Sequence, residues 1–271
     1  MVDRMGWAGE GSAVRGPGSN GVAVGEVGAT GAAGREEGRK RGLKHLNLVA
    51  VNIDGVLLND SFGPVIRRLV ESRGGVYGAE LEQALLSQPQ MVAAQTAADV
   101  LGGSAEAVLT AYFEERDRYV LEHPVRVLEG AETLLQRLRS LEMRIVCYGG
   151  LGRTHFDCHL SALAEYFDEP VYVCTNDFRP GIREIAELFE IRFDQMLVID
   201  DVARVAETAR ELGSAFIGHP SDYEQGFQRP LMERAGVRHV VRSLGEISEE
   251  LLRTVDAEAA AGDNWPLAPQ V

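Results

Sequence analysis

Asn52 and Asp54 stand two residues apart at the end of the apolar run Leu48-Val49-Ala50-Val51, with Gly55 directly after them. Alternate side chains of a strand share a face, so a strand ending here points the amide and the carboxylate into one crevice. A carboxylate so placed can act as a general base or a hard oxygen ligand; an amide offers a carbonyl oxygen and N–H groups but no charge. A second acidic pair, Asp200-Asp201, ends the apolar run Met196-Leu197-Val198-Ile199. Hard oxygens at strand ends suit Mg2+, which makes Asn52, Asp54, Asp200 and Asp201 a candidate metal set. Gly149-Gly150 ends a third apolar run and either presents backbone N–H groups to an anion or serves as a plain strand-to-loop turn. His155, Cys158 and His159 fall at i, i+3 and i+4 of an expected helix, a spacing that suits a soft divalent metal as well as capping or packing.

These residues need a sheet to hold them. The run from Leu48 to Val51 is short and rich in β-branched side chains, which predicts a buried strand, and ligands of an open α/β sheet bind at such carboxyl ends. Further strands are expected over Met143–Tyr148, Pro170–Thr175, Met196–Ile199 and Ser214–Gly218, with an edge strand after Gly236. Helical spacing marks Gly130–Leu141, Ile182–Phe189, Val202–Gly213 and a last helix through Leu252. From Phe62 to His123 the pattern is helical throughout, with Arg73-Gly74-Gly75 as a stop and Ser104 as an N-cap.

The run Asn52-Ile53-Asp54-Gly55-Val56-Leu57 resembles the first motif of the haloacid dehalogenase-like (HAD) superfamily, an apolar strand followed by Asp-x-Asp-Gly-Thr/Val-Leu. The resemblance spans about residues 45 to 255. It implies an α/β, Rossmann-like three-layer core with a parallel sheet and a small inserted all-helical cap. The implied organisation is a core of residues 45–61 and 124–255 and a cap of 62–123. Residues 1–44 read as a disordered Gly-rich tail ending in a basic cluster, and 256–271 as a flexible C-terminal tail.

In the family the first Asp of the motif is the phosphoryl-accepting nucleophile and binds Mg2+, and the second is the general acid or base. Here the nucleophile position is Asn52, which lacks the carboxylate the covalent route needs, and Asp54 is kept. The second motif implies a phosphate-binding Ser or Thr where this chain has Gly149, followed by Gly150. Tyr148 before it is expected to turn to the other face by strand alternation. The third motif implies a Lys where Arg179-Pro180 stands; Arg179 keeps the charge in a forked geometry. The fourth motif implies that Asp200 and Asp201 hold Mg2+. With Asn52 in place of a carboxylate, affinity for Mg2+ is expected to be weakened or lost.

A formal net charge of −14 argues against nucleic acid and anionic lipid as partners and fits a cytoplasmic protein. No apolar run approaches the length of a membrane span. Cys147, Cys158 and Cys174 form no C-x-x-C pair, which points to a reducing compartment. Three readings follow. The first is a pseudoenzyme on the HAD scaffold, a binding or accessory protein for a small phosphorylated ligand or a protein partner. A general similarity to HAD-like proteins encoded beside nickel-iron hydrogenases suits that reading. The second is an Mg2+-dependent phosphohydrolase with Asp54 as general base and Arg179 stabilising charge. The third is transition-metal handling through His155, Cys158 and His159. The sequence carries no statement of oligomeric state.

Overall fold

Six short apolar runs assemble into one parallel sheet in a computed structural model that describes residues 42–266. They are β1 (Leu48–Asn52), β2 (Arg144–Gly149), β3 (Tyr172–Cys174), β4 (Met196–Asp200), β5 (Ala215–Gly218) and β6 (His239–Val240). The strand order is β3-β2-β1-β4-β5-β6 and every pairing is parallel. β1, β4 and β5 are buried along their whole length, which is why they read as continuous apolar runs rather than alternating ones.

Alternation sorts the side chains of each strand into two layers. Val49, Val51, Ile145, Leu197, Ile199 and Ile217 pack on one face against α5 (Ala131–Ser140), α6 (Arg153–Leu160) and α10 (Glu249–Ala261). Leu48, Ala50, Val146, Met196, Val198 and Phe216 pack on the other against α7 (Ile182–Leu188), α8 (Ala203–Leu212) and α9 (Gln228–Ala235). The result is the three-layer α/β arrangement expected from the strand and helix pattern.

Between β1 and α5 the chain makes four helices: α1 (Gly63–Ser72), α2 (Ala79–Leu85), α3 (Gln90–Leu101) and α4 (Ala105–Glu122). They share a small hydrophobic cluster of their own, Leu69, Leu85, Ala97, Ala98 and Val108. Ser104 caps α4, its side chain accepting from the Ala107 N–H at 3.2 Å.

Both expected tails need correction where they are described. α10 continues to Ala261, so residues 256–261 are helix rather than flexible tail. The buried Asp256 carboxylate accepts the backbone N–H groups of Lys44, His45 and Leu46 at 2.8 to 2.9 Å. Further on, Trp265 Nε1 donates to the Ser214 carbonyl at 3.0 Å. At the other end Leu43 N–H donates to the Leu141 carbonyl, so residues 42–44 belong to the folded body. The rest of the Gly-rich segment lies outside the described residues. Among those described, no helix is long and apolar enough to cross a membrane.

Candidate functional site

Register puts three polar side chains in one row. Asn52 pairs with Tyr148 of β2, and Val51 with Ile199 of β4, so Asn52 lies level with Asp200. All three sit at the carboxyl ends of adjacent strands on the face packed by α7, α8 and α9. Tyr148 was expected on the opposite face; it is instead fully buried beside Asp200, its hydroxyl donating to Asp200 Oδ2. Asp200 Oδ1 also accepts from the Val202 N–H at 2.7 Å. Burial pushes the Asp200 carboxyl up to about 6 and raises the Tyr148 phenol.

The Asn52 amide has no free atom. Its Nδ2 donates to Asp201 Oδ1 at 2.9 Å and to the Asp54 carbonyl at 2.8 Å, and its Oδ1 accepts from the Ile53 N–H at 3.0 Å. Beyond it the chain turns at Gly55, whose φ of +84° and close approach to Asp201 both require glycine, since a Cβ there would collide with that carboxylate. Burial, and then the charge of Asp200, push the Asp201 carboxyl well up. The His219 ring lies on the other side of the turn, Nδ1 donating to the Gly55 carbonyl at 2.9 Å.

Asp54 has a partner the sequence reading missed. His155 Nε2 lies 2.9 Å from Asp54 Oδ1, with the two side chains only 9% and 8% exposed. α6 therefore turns His155 into the strand-end site rather than toward a metal cluster of its own. Cys158 is exposed, and His159 meets His155 only ring edge to ring face, the centroids 5.0 Å apart. Burial holds the His159 imidazole below its usual range. Among the described residues no three His, Cys, Asp or Glu side chains are grouped to hold a metal ion. That corrects the expected His155-Cys158-His159 set, whereas Asn52, Asp54, Asp200 and Asp201 stand together at the strand ends. Each of the candidate Mg2+ donors also holds a hydrogen bond within the protein. Asp200 is engaged by Tyr148 and Val202, one Asp201 oxygen by Asn52, Asp54 by His155, and the Asn52 oxygen by backbone.

The two glycines also separate. Gly149 is the end of β2, its carbonyl accepting from the Thr175 N–H and hydroxyl, and a Cβ there would collide with Ile53 Cγ2. A side chain at that position requires Ile53 to move. Gly150 reaches the site beside the Arg179 guanidinium, whose Nη1 donates to Thr175 Oγ1 at 3.2 Å.

Above this floor lies a cavity of about 550 Å³. Asn52, Asp54, Gly150, Arg179 and Asp201 form its base, and α1 to α4 supply an apolar wall that includes Leu69, Leu85, Ala97 and Val108. Hydrogen bonds close the helices over it. The buried Glu82 of α2 accepts from Phe227 N–H at 2.8 Å, Gln228 Nε2 at 2.6 Å and Tyr77 hydroxyl at 2.7 Å. Gln90 at the start of α3 donates to Asn176 Oδ1 and to the Gly150 carbonyl, each at 3.3 Å. Glu82 and Gln90 were not singled out from sequence, because a polar residue on a helix shows no sign that its partner lies on another element.

Neither a family model nor a curated protein sequence matches the chain. Solved structures do. A conserved haloacid dehalogenase-like protein of unknown function from Agrobacterium tumefaciens is 20% identical with a TM-score of 0.56, covering 79% of this chain and 99% of its own. A putative β-phosphoglucomutase from Bacteroides vulgatus is 15% identical with a TM-score of 0.61, covering 79% and 90%. A HAD family hydrolase from Deinococcus radiodurans, solved with bound phosphate and sodium, is 19% identical with a TM-score of 0.52, covering 80% and 97%. At these identities the likeness carries architecture and not activity. The chain has the haloacid dehalogenase-like hydrolase fold, with an amide at the end of its central strand.

Proposed function

We propose that this chain is a binding protein on a HAD-type scaffold, one that holds a small molecule beneath its inserted helices and performs no phosphoaspartate chemistry. The observation that carries the reading is the Asn52 side chain, whose nitrogen is committed to Asp201 and the Asp54 carbonyl and whose oxygen is committed to Ile53. An amide has no carboxylate lone pair to offer an electrophile, and this one has no unshared polar atom turned to the cavity. Removing a nucleophile from a concerted catalytic unit lowers rate by about 10^4 to 10^6. No hydroxyl-bearing side chain follows Tyr148 at the end of β2, where the family resemblance implies one. An accessory role beside a protein partner extends the reading and rests on sequence resemblance.

A second reading is favoured by one specific contact. Asp54 and His155, 2.9 Å apart, have the geometry of a carboxylate–imidazole pair able to take a proton from water. In that reading Asp54 is the general base of a water-attack hydrolase and Arg179 stabilises developing negative charge.

Hydrolysis of a panel of phosphate monoesters, in buffer with Mg2+, by the natural chain, Asn52→Asp and Asp54→Ala separates the two. The expected result is no turnover by the natural chain. Turnover that Asp54→Ala abolishes would replace the binding reading with the hydrolase. Turnover by Asn52→Asp alone would show that the amide is what silences the site.

A further inference from the structure

The cavity is built unlike a receptacle for a phosphate ester. Six acidic residues line it against three arginines, so the lining offers a desolvated dianion no excess of positive charge. Its helical wall is apolar, formed by residues such as Ile66, Leu69, Leu85, Ala97 and Val108. Two hydroxyls in the same lining, Ser87 Oγ and Tyr112 Oη, are buried and have no hydrogen-bond partner among the described residues. A buried hydroxyl without a partner is costly, and native proteins rarely leave one so. Burial pushes the Tyr112 phenol up, so it keeps its proton and is a donor.

We infer that the cavity takes an uncharged, largely apolar small molecule whose carbonyl or ether oxygens accept hydrogen bonds from Tyr112 and Ser87. The inference rests on the binding reading above and narrows its ligand class. The apolar body packs against α1 to α4, and its oxygen acceptors satisfy the hydroxyls that the protein itself leaves unpaired. A cavity of about 550 Å³ falls within the range of small-molecule sites. Because Glu82 and Gln90 hold the helices onto the core, such a ligand is partly enclosed once bound, and excluding water from that part favours apolar surface.

The test uses the full chain and the neutral naphthyl ketone dye prodan, whose fluorescence shifts to the blue in apolar surroundings. Saturable binding of one dye per chain is expected, and millimolar inorganic phosphate does not displace it. Ala97→Phe fills the cavity and abolishes the signal. Tyr112→Phe leaves the shape unchanged and weakens binding by about five-fold, the loss of one hydrogen bond. Absence of saturable blue-shifted fluorescence would overturn the inference. So would an unchanged signal in an Ala97→Phe chain of native circular dichroism, or displacement by phosphate. Running the phosphate-ester panel on the same preparation keeps the two readings apart. Turnover together with dye binding removes only the claim of no catalysis, whereas silence without dye binding removes only the ligand class.

Discussion

Asn52 and Gly149 lie on adjacent strands and meet different neighbours: the amide fixes Asp201, and the glycine leaves room for Ile53. Restoring the family-type hydroxyl at Gly149 is therefore a packing problem before it is a chemical one. Gly149→Ser is expected to cost about 1–3 kcal/mol by overpacking, measured by urea unfolding. Combined with Ile53→Ala, which removes the obstructing methyl group, the loss should be smaller than the sum of the two single changes. His219 governs the response to acid at the neighbouring turn. Burial holds its imidazole below the ordinary 6.5, against the pull of its bond to the Gly55 carbonyl and of Asp222 and Glu246, with Arg229 adding to the depression. The unfolded chain then binds this proton more readily than the folded one, so stability from His219 is complete above 6.5 and declines as pH falls below it. Thermal unfolding at about pH 7.5 and about pH 5.5 should show a larger loss for the natural chain than for His219→Asn. Asp200 and Asp201, both raised, shift stability the opposite way on acidification, so the difference between the two chains is the quantity to read.

The inserted helices are joined to the core by a few polar bonds, and Glu82 holds three of them. Glu82→Ala strands Gln228, Phe227 N–H and Tyr77 without an acceptor and should cost about 2–4 kcal/mol in chemical denaturation. Faster amide exchange confined to α2 and the segment before α9 is the accompanying sign that the closure, rather than the sheet, has loosened. How far such elements can be read from sequence depends on whether their signal is local. α1 to α4 are legible because helical spacing repeats within each one, and Asn52 with Asp54 because two residues on one strand end need no partner to be paired. The facing of Tyr148 was misread because Gly149 was counted as the site-facing position, and two glycines give no side chain by which to check the phase. The contact between His155 and Asp54 joins positions 101 apart, and a His-x-x-Cys-His spacing says nothing about which element the helix looks toward.

For the molecule as a whole, β1 is the organising strand, paired on both sides and buried along its length, yet its approach is secured by α10. That helix end was invisible in the sequence because residues 256–261 hold no large apolar side chain, only Asp256, Glu258 and alanines. Asp256→Ala leaves three backbone donors without their carboxylate and is expected to cost about 2–4 kcal/mol, read as a lower urea midpoint with unchanged slope. Asp256 follows Leu46 by 210 residues, so on the ribosome the central strand is made long before the group that fastens it. Until β2 and β4 have been made, β1 is exposed apolar chain without its sheet neighbours, so protection of the nascent polypeptide over that stretch favours its yield in a cell.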